Sequence, residues 1–200
     1  MKEIDEQTRK QREATVIEQH EGIYPMYEAF YLESIIYAAD RCEDAFRRFD
    51  AGLAASATAA VIVATVQEGL THAAALSRYF WPMKKDSLLA SARGERLRKA
   101  FDLGDGSPLK SRKLRNAFEH FDEDLDRFLL NDLTGYFFPG PMIGSHELDD
   151  DDLGNFFRLV DPLQGICVLL GEKFEFRPIR SEVQRILTRA LEMNSQGSRL

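Results

Sequence analysis

The sequence has little cysteine, one tryptophan and no long strongly apolar run. Its two cysteines, Cys42 and Cys167, are far apart and form no zinc-type or redox-type spacing. That excludes a disulfide scaffold and fits a reduced, cytoplasmic compartment. The longest stretch without a charge, residues 51–67, consists mostly of Ala, Thr, Ser and Val. Spanning a bilayer takes roughly 20 strongly apolar residues, so this stretch reads as a buried soluble helix and no membrane is expected as a partner. The first residues, Met1-Lys2-Glu3-Ile4-Asp5-Glu6, carry charges where a secretory signal needs an apolar core. No Walker loop, Gly-x-Ser-x-Gly elbow or dinucleotide fingerprint is present. Glu68 and His72 have the wrong spacing for a di-iron bundle. His146 precedes the acidic run Glu147 to Asp152, which lacks EF-hand alternation and reads as a solvated acidic loop. Neither a metal nor a cofactor is expected.

What is present is charge, unevenly placed. The 200 residues carry 26 basic and 33 acidic groups, a net of -7, which argues against a nucleic-acid coat protein or a polybasic membrane binder. Resolved along the chain, residues 1–83 read -5, residues 84–115 read +6 and residues 116–200 read -8. The middle segment is therefore a candidate anion-facing surface, with Arg96, Lys99, Lys110, Arg112 and Lys113 as candidate RNA contacts. The alternative is that these cations offset acidic helices elsewhere in the fold.

Helical spacing predicts elements from Met26 to about Asp50, from about Leu53 to Phe80, and from Ser87 to Phe101. The second stops before Trp81-Pro82, because the residue before proline disfavours the α region. A fourth helix is expected from a Ser107 cap and Pro108 through to about Asn131. Its apolar face would be Leu114, Ala117, Phe118, Phe121, Leu125, Phe128 and Leu129, packed on the other helices. Thr134 to Pro141 reads as a loop, Asn155 to Val160 and Ile166 to Phe176 as a hairpin around Asp161-Pro162-Leu163-Gln164-Gly165, and residues 180–193 as a final helix. The expectation is a mainly α fold: a four-to-five-helix bundle with a small C-terminal β-hairpin (about 155–178) and a final helix. Residues 1–22 form a flexible tail or frayed helix, and 23–200 one domain.

The polar side of the fourth helix reads Arg115-Asn116-Ala117-Phe118-Glu119-His120-Phe121-Asp122. At about 100° per residue, Arg115 can pair with Glu119, and Asn116 sits one turn before His120. Arg115 and His120 then lie about 140° apart, so a phosphate between them calls for a wrapped arginine or a second subunit.

This Arg-Asn-x3-His arrangement resembles the motif of the HEPN superfamily, helical-bundle domains that include metal-independent ribonucleases of toxin-antitoxin, phage-defence and RNA-processing systems. The resemblance covers about residues 107–130 specifically. It extends to 26–106 only in helix order and spacing, and does not reach 131–200. It implies an endoribonuclease in which His120 is the general acid or base, Arg115 binds the scissile phosphate and Asn116 orients His120 or donates to phosphate, with Glu119 and Asp122 in support. It also implies a homodimer with two such helices facing across a cleft, and an RNA substrate. A toxin branch carries a tyrosine two positions after the histidine, the target of a partner nucleotidyltransferase. Asp122 stands there instead, which puts that mode of control and that antitoxin partner in doubt.

Two other readings stand beside it. One is a solvated helix face on which Arg115 and Glu119 form an ordinary ion pair worth a few tenths of a kcal/mol. The other is a non-catalytic module that binds RNA or a protein partner, using the apolar segment Tyr136-Phe137-Phe138.

Overall fold

A computed structural model of the chain describes residues 4–82, 87–111, 113, 116, 117, 120–131, 134–150, 154–197 and 199–200. The fold is mainly helical, with six α-helices among the described residues and a four-stranded mixed sheet near the C-terminus. The helices are α1 (Glu6–His20), α2 (Glu28–Ala54), α3 (Ala59–Phe80), α4 (Leu88–Ala100), α5 (Phe121–Leu130) and α6 (Phe176–Ser195). The strands are β1 (Tyr136–Ile143), β2 (Gly154–Asp161), β3 (Ile166–Leu169) and β4 (Glu172–Glu175).

Helices α2 and α3 form the centre. They run antiparallel, with Gly52 against Ile62 at the turn and the Cys42 thiol 3.1 Å from the Gly69 carbonyl further along. Burial pushes both thiols, Cys42 and Cys167, up to about 12, so they pack as apolar groups and are not nucleophiles. Helix α6 lies along α2. Phe176 stacks on Phe46 at 5.7 Å and meets Phe49 edge-on at 5.5 Å, while Arg180 pairs with Glu43 at 3.0 Å and Asp50 at 2.8 Å. By length and composition α3 could cross a membrane, and half of its most apolar window is buried inside the fold.

Residues 6–20 are helical. Asp5 caps them, accepting from the Thr8 amide at 2.8 Å and its hydroxyl at 2.6 Å. No residue of α1 is buried, so it rests on α4 through its C-terminal end. Gly22, at φ 88°, makes that approach feasible: a Cβ there would stand 2.3 Å from the Arg93 amide nitrogen. Helix α4 is capped by Ser87, whose hydroxyl accepts from the Ala90 amide; the sequence offers Asp86 or Ser87 for this cap, and Asp86 lies outside the described residues.

The second half of the chain departs from the sequence reading. Ser107 makes no side-chain cap, Pro108–Lys110 is a single 3-10 turn, and Ser111 is extended. Lys113, Asn116 and Ala117 are helical, but His120 leaves the helical region at φ -119°, ψ 28° before α5 begins. The long fourth helix is therefore interrupted. Asp122, Glu123 and Asp124 crowd the first turn of α5, where carboxylates favour a fresh N-terminus over a helix interior. No α5 residue is fully buried, and two of its rings meet the sheet. Phe128 meets Phe157 edge-on at 5.3 Å, and the Arg158 guanidinium lies 4.7 Å over the Phe121 ring.

The segment read as a loop, 136–143, is strand β1, parallel to β2. Its prolines, Pro139 and Pro141, sit on an edge strand, and the register slips between Phe138 and Pro141, which is how a proline-bearing strand stays in a sheet. The hairpin of β2 and β3 around Asp161 to Gly165 forms as expected. The stretch Ile166 to Phe176, however, is two antiparallel strands joined by Leu170-Gly171, both with positive φ, at 50° and 79°. The final helix starts at Phe176, earlier than residue 180.

The sheet is a wall of the core and not an appendage. Val160, Cys167, Leu169 and Phe174 join the helical core, while Phe156, Leu159 and Val168 form a second small cluster with Phe138, Met142 and Ile166 on the opposite face.

Candidate functional site

The segment 113–131 and the β3–β4 turn enclose a cleft of about 500 Å³. Lys113, Asn116, Ala117 and His120 form one side, Glu123, Arg127 and Phe128 continue it along α5, and Leu170, Glu172 and Phe174 face them. Asn116 and His120 thus open into the same hollow. The His120 amide donates to the Asn116 carbonyl at 2.9 Å, and the Asp124 amide to the His120 carbonyl at 2.9 Å. The His120 ring is about half exposed, with Nδ1 3.6 Å from a Glu123 carboxylate oxygen. An exposed imidazole on a backbone kink, beside a carboxylate, can exchange protons with solvent and with a bound hydroxyl.

The cleft's charges cancel locally. Arg127 pairs with Asp124 at 2.7 Å and Glu123 at 3.4 Å, and Lys113 reaches Glu172 at 3.4 Å. Each pair is exposed and exchangeable, so a phosphate can displace a carboxylate from Lys113 or Arg127 at small cost. The Asp122–Asp124 triplet repels an anion at the α5 N-terminus, leaving the approach past Lys113 and Asn116.

Of the residues singled out in the sequence, Lys113, Asn116 and His120 are brought together. Arg112, Arg115 and Glu119 lie outside the described residues. Asp122 is exposed in the first turn of α5. The remaining cations serve elsewhere. Arg96 donates to the carbonyls of His20 at 2.7 Å and Ile23 at 2.6 Å and pairs with Glu28, a buried carboxylate that also accepts from the Leu200 amide at 3.2 Å. It is a tie between α1, α2 and α4, with both terminal nitrogens bonded inside the fold. Lys110 holds Asp105 at 2.8 Å, and that ammonium keeps the Asp105 carboxyl below its usual range. Lys99 lines a separate hollow beside Arg185 and Arg189.

Sequence reasoning missed Arg127, Leu170 and Glu172. Arg127 was findable, since it follows His120 by seven residues, which is two helical turns and one face. Leu170 and Glu172 carried no signal, because only the β3–β4 turn brings them across. Leu170 holds φ 50°, a left-handed conformation that a branched side chain adopts at a cost.

His146 faces Asp161 at the end of β2. Its ring Nδ1 lies 2.8 Å from the Asp161 carboxylate, which also accepts from the His146 amide at 3.0 Å and the Gln164 amide at 3.0 Å. Burial alone would push the Asp161 carboxyl up. The hydrogen bonds outweigh it and hold the group at about 2. This cluster pins the β1–β2 crossover. Among the described residues no group of three or more His, Cys, Asp or Glu side chains is placed to hold a metal ion. Comparison of the chain with protein-family models, with curated proteins and with solved structures finds no match.

Proposed function

We propose that this chain is a HEPN-like protein that cleaves RNA without a metal ion, in a toxin or phage-defence setting, and that the cleft around Asn116 and His120 is its working surface. The observation that carries the reading is the convergence of Asn116, His120, Lys113 and Arg127 on one cleft large enough for a nucleotide unit. In this reading His120 exchanges the proton of the attacking 2'-hydroxyl or of the leaving oxygen. Arg115 and Lys113 hold the scissile phosphate, and Asn116 fixes the geometry. A second copy of the chain completes the site across a two-fold axis. The test is cleavage of a mixed single-stranded RNA pool in EDTA by the wild type, Arg115→Ala and His120→Ala. Cleavage by the wild type and loss in both variants supports the reading; no cleavage by pure wild type, or equal cleavage by all three, removes it.

A second reading, a non-catalytic interaction module, is favoured by the local pairing of the cleft's described cations with carboxylates and by the exposed rings of Tyr136 and Phe137 on edge strand β1. Phe138 does not belong to that surface, because it stacks on Phe156 at 4.6 Å. Phe137→Ser would then weaken self-association in sedimentation while leaving RNA untouched.

A further inference from the structure

Helices α2, α3 and α4 enclose a second cavity, of about 710 Å³, that shares no residue with the His120 cleft. Its volume falls within the roughly 300–1,000 Å³ typical of small-molecule sites. Ser34 and Tyr37 contribute from α2, His72, Arg78 and Tyr79 from α3, and Arg93 from α4. Hydrogen-bond donors therefore converge from three helices onto one hollow.

Arg93 is the informative member. Its guanidinium lies over the Tyr31 ring at 5.7 Å from the centroid, and among the described residues no carboxylate pairs with it. Its Nε is buried and has no hydrogen-bond partner. Buried donors on charged groups are almost always satisfied, so the fold leaves part of this guanidinium's donor capacity unmet. Glu33, the carboxylate in the same wall, accepts from the Asn194 amide group at 3.1 Å and is directed to α6. Tyr37 is 68% exposed, a ring in the cavity wall that packing does not require.

We infer that this cavity binds a small ligand in which an anionic group is joined to a planar ring. The anion sits on Arg93, whose planar fork matches a carboxylate or phosphate, with the His72 imidazole in the same wall; the Ser34 hydroxyl already donates to the Phe30 carbonyl at 2.7 Å. The ring stacks against Tyr37 and Tyr79. An aromatic carboxylate and a ring-bearing phosphate share this chemistry, and titration separates them.

The experiment is isothermal titration of the full chain with benzoate, adenosine monophosphate, inorganic phosphate and adenosine. The expected result is saturable one-site binding of benzoate, of adenosine monophosphate or of both. Phosphate and adenosine alone should bind at least about tenfold more weakly. Arg93→Lys keeps the charge but loses Nε and the fork, and should weaken binding about tenfold or more. Tyr37→Ala, at an exposed position, should weaken it about two- to tenfold with unchanged Tm, which keeps the test valid if Arg93→Lys is poorly folded. Binding confined to benzoate identifies a carboxylate ligand, and binding confined to adenosine monophosphate a phosphate ligand. The inference is overturned if neither ring-bearing anion saturates the protein, if inorganic phosphate binds as tightly, or if both variants bind like the wild type.

Discussion

The cleft at His120 and the cavity at Arg93 are both lined by cations, but they hold their charges differently. Around His120 each described cation has a carboxylate within 4 Å, and every such pair is solvent-exposed. In the cavity between α2, α3 and α4, Arg93 rests on an aromatic face with a buried nitrogen unpaired. A site of the first kind exchanges partners readily and suits a substrate that must leave. One of the second kind is built to keep an anion. Arg96, on the same helix as Arg93, is a third case: both its terminal nitrogens donate to buried or helix-end acceptors. Charge in the sequence therefore says little about function until the partner of each cation is known.

The largest effect should come from breaking the Arg96 tie. Arg96→Ala leaves Glu28 buried without its main partner and should cost about 3–5 kcal/mol by urea denaturation. Arg127→Ala, by contrast, should leave the urea midpoint where it is. If the two variants unfold alike, the distinction between structural and exchangeable cations is wrong. Gly22→Ala should be nearly as damaging, because both its φ and the 2.3 Å approach to the Arg93 amide forbid a Cβ. It would disturb α1 and α4 before it touched the cleft.

Smaller effects sharpen the contrast. Asp161 is held at about 2 in the folded state, below its unfolded value near 3.9, so its contribution is fully present above about pH 4 and is lost as pH falls toward 2. Asp161→Asn should be less stable than the wild type at pH 7, with the gap closing between pH 4 and 2 in thermal melts. A gap independent of pH would show that the loss is one of packing. The smallest effect is expected at the lip of the cleft. Leu170→Asn suits a left-handed position and should raise stability by up to about 1 kcal/mol. A fall in the urea midpoint would mean that the contacts of Leu170 in the cleft outweigh its backbone strain.

Much of the helical half was legible, because it is built on local signals. The 3.6-residue periodicity of α2, Pro82 after α3 and the Ser87 cap of α4 each act within a turn or two of chain. The second half was not, because its signals compete. The apolar spacing from Leu114 to Leu129 is helical throughout, and among the described residues His120 departs from it. Strand β1 hid behind Pro139 and Pro141, since a parallel edge partner leaves no mark on its own sequence. Leu170-Gly171 reads as strand interior, although the hairpin there needs two left-handed residues. At the site, spacing put Asn116 one turn before His120, and the resemblance to the HEPN motif singled the two out as candidates. The opposite wall, Leu170 and Glu172, depends on a turn that spacing does not predict, and the +6 segment was misleading because Arg96 and Lys110 bind their own fold.

The most direct test of the account sets His120 in the cleft against Lys99 on the separate hollow, measuring RNA cleavage rate and Tm on the same preparations in EDTA. The account predicts that His120→Ala lowers the rate about 100-fold or more at wild-type Tm, whereas Lys99→Ala stays within about twofold. A His120→Ala protein that cleaves like the wild type, or a Lys99→Ala protein that loses as much, would contradict it.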